Sequence, residues 1–243
     1  MTSDQPLATA RPEGDTWRVR PDSDFSDLQF RTVETASLTA NDRTRMFAAF
    51  DAAYRDANHA YLEKSFGRLR YGAIASDGDA TVGFALGDVL VMDLPRLRQT
   101  TVHLAGICCI GAEYRRRGLF GQLERLAAMA AGAKPSTRAL NCGRMAHPAS
   151  YRLMARSPSA VPKPGVPPTP WQQEVGAAIA AAYGVEDFDP ATFVCHGSGT
   201  PIGYPIIDIE AEPGEWVVFQ PVNRDRGDSL LGIAWMGEPP DGW

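Results

Sequence analysis

Residues 101–132 read TVHLAGICCIGAEYRRRGLFGQLERLAAMAAG, and this stretch determines how the rest of the chain can be arranged. Its first part, up to Ile110, is a nearly unbroken apolar run with β-branched residues, which predicts a strand buried on both faces. From Leu119 onward the apolar residues recur at helical spacing, which predicts an amphipathic helix. Its apolar side is expected to carry Leu119, Leu123, Leu126 and Ala130, with Gln122, Glu124 and Arg125 largely off that side.

A polar loop that contains Arg115, Arg116 and Arg117 joins the strand to the helix, and Gly118 precedes the first helical residue. The first backbone N–H groups of a helix have no intrahelical partner and carry partial positive charge. A glycine lets an anion approach the backbone closely, and the arginines add charge. The stretch therefore favours a phosphate-binding turn, with a solvated basic turn as the alternative interpretation.

The order of residues 110–121 resembles the acyl-CoA signature of the GNAT superfamily of N-acetyltransferases. In that family a strand ending in valine or isoleucine leads through a short turn into Gln/Arg-x-x-Gly-x-Gly/Ala, which opens a helix. Arg115 takes the Gln/Arg place and Gly118 the first glycine place. Phe120 stands where the last small residue is usual, Gly121 follows one step later, and Ala112 replaces a proline of the turn.

The resemblance implies that acetyl-CoA, or another acyl-CoA, is the co-substrate and that no metal is needed. The pyrophosphate would lie on the amides at the start of the helix. The pantetheine arm would pair like an extra strand with the end of the preceding strand. The residues implied to bind the acyl-CoA are Cys108, Cys109, Ile110, Arg115, Arg116, Arg117, Gly118, Leu119, Phe120 and Gly121.

Composition narrows the class of protein. The 243 residues carry a formal net charge of −5, which argues against a nucleic-acid partner. The four cysteines show no C-x-x-C spacing, so free thiols in a reducing compartment are expected. Neither a signal peptide nor an apolar run of about 18 residues is evident, so we expect a soluble, cytoplasmic protein with no membrane partner.

The pattern predicts a mixed, mostly antiparallel twisted sheet flanked by helices, an α/β (α+β) fold of GNAT type with a C-terminal extension. Residues 1–26 are expected to be a flexible tail and residues 27–157 the acyl-CoA-binding core. Residues 158–170 are rich in proline and are interpreted as a linker. Residues 171–243 either complete the sheet or form a small lobe.

Within that C-terminal region, residues 171–183 predict an amphipathic helix ended by Gly184. Residues 192–196, 206–210 and 216–222 are strand-like. Residues 223–228 are expected to form a charged hairpin loop that leads into a strand over residues 229–236.

Two residues are candidates for the acid–base chemistry of amide formation. His103 lies on the strand that precedes the arginine loop, where the family places a general base, and an imidazole titrates in the useful range. Tyr151 lies in the segment where the family places a tyrosine general acid, but laying His147 on the family asparagine puts Met154 at the tyrosine position. Tyr151 is thus displaced by nearly one helical turn. Ordinary hydrogen bonding and packing are the alternative roles.

The sequence therefore predicts acetyl transfer to the amine of a small molecule by direct attack in a ternary complex. One alternative is a GNAT-fold protein that binds acyl-CoA or a partner without catalysis. Another is a related enzyme that hydrolyses or decarboxylates an acyl thioester. A homodimer is a possible assembly.

Overall fold

The computed structural model describes residues 25–134, 138–197, 201–207 and 209–243. The predicted tail, residues 1–26, lies outside these residues except for its last two. The elements in chain order are β1 (Gln29–Glu34), α1 (Ala40–Ala53), β2 (Tyr54–Arg55), α2 (His59–Arg68), β3 (Tyr71–Asp77), β4 (Ala80–Leu94), β5 (Leu97–Ile110), α3 (Leu119–Ala130), β6 (Ala139–Met145), α4 (Pro148–Ala155), α5 (Pro170–Ala182), β7 (Phe188–Asp189), β8 (Val194–Cys195), β9 (Tyr204–Pro205) and β10 (Ser229–Met236).

Eight of the strands form one sheet in the order β1-β3-β4-β5-β6-β10-β8-β7, and β2 pairs with β9. Within the sheet only β5 and β6 run parallel among the described strands, and α3 connects them. A parallel pair of strands requires such a crossover connection, whereas all the other neighbouring strands of this sheet pair antiparallel. The predicted fold class, a mixed and mostly antiparallel sheet flanked by helices, is confirmed.

Local chemistry explains several element boundaries. The Thr39 hydroxyl accepts from the backbone N–H of Asp42, and the Asp42 carboxylate accepts from the backbone N–H of Thr39, so α1 begins with a capping box. Thr169 and Gln172 start α5 in the same way. The turn between β3 and β4 contains Gly78 at φ 53°, a left-handed conformation that glycine adopts without strain.

Helices cover both faces of the sheet. A Cβ added at Gly87 of β4 would lie 3.7 Å from the Cβ of Ala127 in α3, and one at Gly232 of β10 would touch Tyr151 of α4. Because these two glycines sit on the same side of the sheet, α3 and α4 share a face. On the other face α1 and α2 pack against β4 and β5, in an apolar cluster that does not include α3. The guanidinium of Arg68 in α2 donates to the carbonyl of Tyr183 at the end of α5, so α5 adjoins α2.

The C-terminal region joins this sheet. Strand β10 pairs with β6 over seven residue pairs, from Leu230–Met145 to Met236–Ala139. In the proline-rich segment, Val161 exchanges two backbone hydrogen bonds of 2.9 Å with Ile233. Both segments therefore lie against the sheet rather than apart from it.

Three C-terminal expectations are wrong in detail. Residues 216–222 were expected as a strand, but Pro213–Phe219 form a 3₁₀ helix, because Glu212 and Glu215 cap a helical start at Pro213. The strand nearest to the expected range 206–210 is β9, which ends at Pro205, and residue 208 lies outside the described residues. Since residues 223–228 follow a helix, they do not form a hairpin loop, although the strand after them is confirmed.

Candidate functional site

Strands β5 and β6 separate at one end of the sheet. Their parallel pairing ends with Ala105 opposite Gly143, whereas β5 continues to Ile110 beside β4. At that point one residue of β4 faces two of β5, because Ala85 pairs with Cys108 and Gly87 with Ala105. Such a bulge bends its strand. We call the space between residues 106–110 of β5 and residues 144–145 of β6 the fork.

The open edge of β5 presents backbone hydrogen-bonding groups to the fork. Gly111 donates its N–H to the carbonyl of Val82, at 2.8 Å, just after the last residue of β5. In an antiparallel pair, residues that bond the partner strand alternate with residues whose N–H and C=O point away. The N–H and C=O groups of Cys108 and Ile110 therefore point away from β4, into the fork. An extended chain with amide groups could pair with the N–H and C=O of Cys108 and with the N–H of Ile110.

The start of α3 lies at the end of the same strand. Gly118 precedes α3 at φ 93° and ψ 0°, a left-handed conformation, and makes no side-chain cap. The first backbone N–H groups of α3 are therefore free of a capping side chain and carry the positive end of the helix dipole. A Cβ added at Gly121, in this first turn, would meet no heavy atom within 4 Å. This end of the helix has the room and the charge for an anion.

Contacts of the arginine loop hold it against the strand end. The Nε of Arg115 donates to the carbonyl of Ile110 at 3.2 Å. The guanidinium of Arg117 lies over the rings of Phe25 and Tyr114, 5.8 and 5.7 Å from their centroids. Arg116 is exposed and adopts a positive φ of 60°. The loop thus has a defined shape beside the helix start.

The structure brings the predicted acyl-CoA residues together at this end of β5. Leu119 and Cys109 are buried, and Phe120 and Cys108 are partly buried. Cys108 packs with the α3 cluster, whereas Cys109 belongs to the cluster of α1 and α2. Burial raises the pKa of both thiols. Binding by these residues stays a prediction.

His103 lies two residues before Ala105, in the part of β5 that pairs with β6. His103 lies opposite Asn141 of β6, and both side chains are buried. Neither His103 Nε2 nor Asn141 Oδ1 has a hydrogen-bond partner among the described residues. Burial lowers the pKa of His103, against a smaller opposite effect of the Asn141 side chain. The predicted role of His103 as a base remains a prediction.

The Tyr151 hydroxyl is already engaged in a hydrogen bond. It donates to the carbonyl of Pro162 at 2.5 Å, and burial raises its pKa. The structure therefore does not bring Tyr151 and His103 together at the fork. The predicted role of Tyr151 as an acid remains a prediction.

Sequence reasoning missed Glu124. It was expected off the apolar side of its helix, but the buried residues of α3 are Leu119, Leu123, Glu124 and Ala127. Burial raises the pKa of the Glu124 carboxyl to about 8. After burial itself, the charge of Glu124 raises the pKa of Cys108 and contributes to that of Tyr183, so both groups lie within electrostatic reach of Glu124. The sequence did contain a signal for this burial, because the spacing of Leu119, Leu123 and Ala127 defines a buried side of α3 that Glu124 adjoins.

Tyr183 was missed as well. Its hydroxyl lies 2.8 Å from the carbonyl oxygen of Ala105 and 2.9 Å from that of Cys142, one on each strand at the base of the fork. Burial raises its pKa well above the ordinary value. Nothing in the sequence near Tyr183 indicates this position, because its partners are far away along the chain.

On the face of the sheet opposite α3, residues 201–207 cover the loop between α1 and α2. Strand β9 pairs with β2, and Asn58 in that loop donates its backbone N–H to the carbonyl of Ile202 at 2.9 Å. A Cβ added at Gly203 would lie 3.2 Å from the Cα of Ala57. Tyr54, at the start of this loop, lies within electrostatic reach of Cys108 and Cys109. We call residues 201–207 the strap.

A surface depression of about 540 Å³ lies away from the fork, between α1, α2 and the start of β3. Among its charged groups, Arg43 is paired with Glu63 and Arg70 with the buried Asp88. The described residues contain no group of three or more histidine, cysteine or carboxylate side chains that could hold a metal ion. None of the described helices is long and apolar enough to cross a membrane.

No protein-family model and no curated protein matches the chain. Its structure is similar to that of the ribosomal-protein-S18-alanine N-acetyltransferase from Escherichia coli, at 11% identity and a TM-score of 0.41, over 88% of this chain and 99% of that one. A GNAT family N-acetyltransferase from Escherichia coli in complex with CoA is similar at 16% identity and a TM-score of 0.37, over 52% and 66%. An aminoglycoside acetyltransferase from an uncultured soil metagenomic sample is similar at 14% identity and a TM-score of 0.31, over 42% and 67%. Because these values are low, we base the proposed function on this chain's own residues.

Proposed function

We propose that the chain is an acyl-CoA-dependent N-acyltransferase of GNAT type that transfers an acetyl group to the amine of a small molecule. The observation that carries this proposal is the position of the fork directly beside the uncapped start of α3. One strand, β5, connects an edge that can pair with an amide-bearing arm to a helix end that can bind a pyrophosphate.

The residues present fit acyl-CoA. The N–H and C=O groups of Cys108 and the N–H of Ile110 point away from β4 and match the amides of the pantetheine arm, whereas the carbonyl of Ile110 already accepts from Arg115. The amides at the start of α3 and the exposed Arg116 suit the pyrophosphate. The open space at Gly121 leaves room for the phosphates. The thioester would supply the activated acyl group, and the chain would orient it in the fork.

Direct transfer is favoured over an acyl-cysteine intermediate. The thiol nearest to the fork on the α3 face is Cys108, and only the thiolate is an effective nucleophile. Burial and the neighbouring Glu124 both raise the pKa of Cys108, so its thiolate is rare at neutral pH. The acceptor amine would therefore attack the thioester itself, while both substrates are bound.

The strap supports a small acceptor. It is tied to the loop between α1 and α2 through β2 and β9 and through the Asn58 side chain, which donates to the carbonyl of Pro201 at 3.1 Å. The resemblance implies that the helices joined by this loop line the acceptor side. A covered loop leaves less room for an extended peptide than for a small amine.

Calorimetric binding of acetyl-CoA to the wild type and to Gly121→Glu tests the proposal. Gly121 is a suitable position because a side chain fits there and glutamate in the first turn of a helix is favourable, so the fold should be kept. The added carboxylate would repel the pyrophosphate, and we expect the affinity to fall at least about 100-fold. Gly67→Glu is the matched control, because Gly67 lies in another helix and is equally open.

The outcomes separate the alternatives. Failure of the wild type to bind, or equal binding by Gly121→Glu, would contradict the acyl-CoA site. Binding without acyl transfer to a broad amine panel would support the non-catalytic alternative, which the occupied Tyr151 hydroxyl and Met154 favour. Release of free CoA without an acceptor amine would support hydrolysis.

A further inference from the structure

Glu124 is a carboxyl group in an otherwise apolar position. The other buried residues of α3 are Leu119, Leu123 and Ala127, which pack against the sheet. Glu124 is only 5% exposed. An ionised carboxylate is costly in such a place unless donors surround it. Since a leucine there would pack without that cost, the carboxyl group calls for a functional explanation.

The surroundings of Glu124 keep it protonated. Burial raises its pKa, and no hydrogen bond or basic side chain of the described residues offsets this effect. The titratable groups that face it are the Cys108 thiol on β5 and the Tyr183 hydroxyl beside the end of α5. Both of these also remain protonated at neutral pH, because burial raises their pKa values. Glu124 can therefore donate a proton at the base of the fork.

The position of Glu124 along α3 relates it to the proposed acyl-CoA site. The helix rises about 1.5 Å per residue, so Glu124 lies roughly 9 Å from Gly118 along its axis. An arm anchored by its pyrophosphate at the start of α3, and paired with residues 108–110, runs toward the base of the fork on this face. The sulfur is at the far end of that arm.

We propose that Glu124 donates the proton that the CoA sulfur takes up as the acyl group is transferred; this inference rests on the proposed function. The neutral amine nitrogen attacks the acyl carbon and forms the C–N bond. The C–S bond breaks, and its electron pair goes to sulfur. The Glu124 carboxyl proton passes to that sulfur to give the CoA thiol. The former amine nitrogen releases one proton to solvent, and the Glu124 carboxylate then takes up one proton from solvent, which restores the acid.

The other hydroxyl and imidazole groups are less suited to this step. The Tyr151 hydroxyl proton is held by the carbonyl of Pro162. The Tyr183 hydroxyl faces the carbonyls of Ala105 and Cys142. His103 lies in the paired part of the strands, beyond the base of the fork. Glu124 lies on α3 itself, within electrostatic reach of Cys108 on the open edge of β5.

The test measures the thiol pKa of bound CoA, and it needs no acceptor. The thiolate absorbs in the ultraviolet, so CoA bound to the protein is titrated with pH, and the complex with desulpho-CoA, which lacks the sulfur, is the blank. In the wild type, Glu124 is charged in the alkaline range and opposes ionisation of a neighbouring thiol. We expect the thiol pKa to be higher than in Glu124→Gln by about one pH unit or more.

Two variants keep the result interpretable. Glu124→Asp retains the charge and should retain a raised thiol pKa, and Glu174→Gln, on the exposed side of α5, should give the wild-type value. Equal thiol pKa values in the wild type, Glu124→Gln and Glu174→Gln would overturn the inference. If neither the wild type nor any variant binds CoA, the proposed function itself fails, and this outcome is distinct from equal thiol pKa values.

Discussion

The hydroxyl of Tyr183 lies 2.8 Å from the carbonyl oxygen of Ala105, the last residue of β5 that pairs with β6. The same hydroxyl lies 2.9 Å from the carbonyl of Cys142 on β6. A side chain from outside the strand–loop–helix stretch thus reaches the point where the two strands separate. The shape of the fork depends on this contact as well as on the bulge in β5.

Replacing Tyr183 by phenylalanine should lower the free energy of unfolding by about 1–3 kcal/mol, because a buried carbonyl then loses its donor. Chemical denaturation monitored by circular dichroism measures the change. Tyr71→Phe, at a partly exposed position, is the control and should change stability by less than about 0.5 kcal/mol. A loss no larger than that of the control would mean that the hydroxyl does not stabilise the fork.

Glu124→Gln should make the stability of the protein less dependent on pH. The pKa of the Glu124 carboxyl is raised from 4.5 to about 8, so the folded chain binds this proton more tightly than the unfolded chain does. The wild type therefore loses stability as the pH rises between these values, by up to about 1.4 kcal/mol per pH unit. Urea denaturation of both proteins at several pH values in this range measures the difference.

If the wild type and Glu124→Gln lose stability in parallel across that range, Glu124 is not buried as described. The control is Glu174→Gln, an exposed change that should leave the pH dependence as it is in the wild type.

Gly118→Ala and Gly121→Ala should change stability in opposite directions. Gly118 adopts φ 93°, where an added Cβ is strained, and we expect a loss of about 1–2 kcal/mol. Gly121 lies within α3 and has open space for a Cβ, and we expect a gain of about 0.5–1 kcal/mol. Thermal denaturation of the pair measures both, and a loss at Gly121 that equals the loss at Gly118 would contradict the described loop conformation.

Asp228→Asn should destabilise the protein at neutral pH by about 2 kcal/mol. Burial by itself raises the pKa of Asp228, but the Arg226 guanidinium and the N–H groups of Gly197 and Asn223, with His196 nearby, lower it to well below its usual range. The contribution of the carboxylate is present above the usual pKa of an aspartate and is lost as the pH falls further.

Denaturation at neutral and acidic pH checks this prediction. The difference between the wild type and Asp228→Asn should narrow toward acidic pH. A difference that stays constant would show that the charge on Asp228 does not contribute.

The strand–loop–helix stretch was predictable because local rules and the tertiary structure agree there. The apolar run, the arginine loop and the helical spacing all place α3 after β5. The sequence ALNCGRM of residues 139–145 is itself strand-like and forms β6 over the same residues. Asp77-Gly78 between two apolar runs is likewise a turn sequence, and Gly78 adopts a positive φ there. In each case the residues that determine the conformation are neighbours in sequence.

The less predictable features depend on contacts between distant residues. Glu124 was expected largely off the apolar side of its helix, yet the packing of α3 on the sheet buries it. The position of Tyr183 depends on Ala105 and Cys142, and no local pattern reports such distances. The expected strand over residues 216–222 failed where a capping box competed with apolar alternation.

The pairing of β10 with β6 has a consequence for synthesis on the ribosome. Strand β6 lies between β5 and β10, and Leu140 pairs with Trp235, which is translated much later. At typical translation rates of about 5–20 residues per second, the nascent chain waits several seconds with the apolar edge of β6 unpartnered. During that interval this edge is open to aggregation. A mutation that slows the pairing of β10 with β6 should therefore lower the yield of folded protein, even where the folded protein is as stable as the wild type.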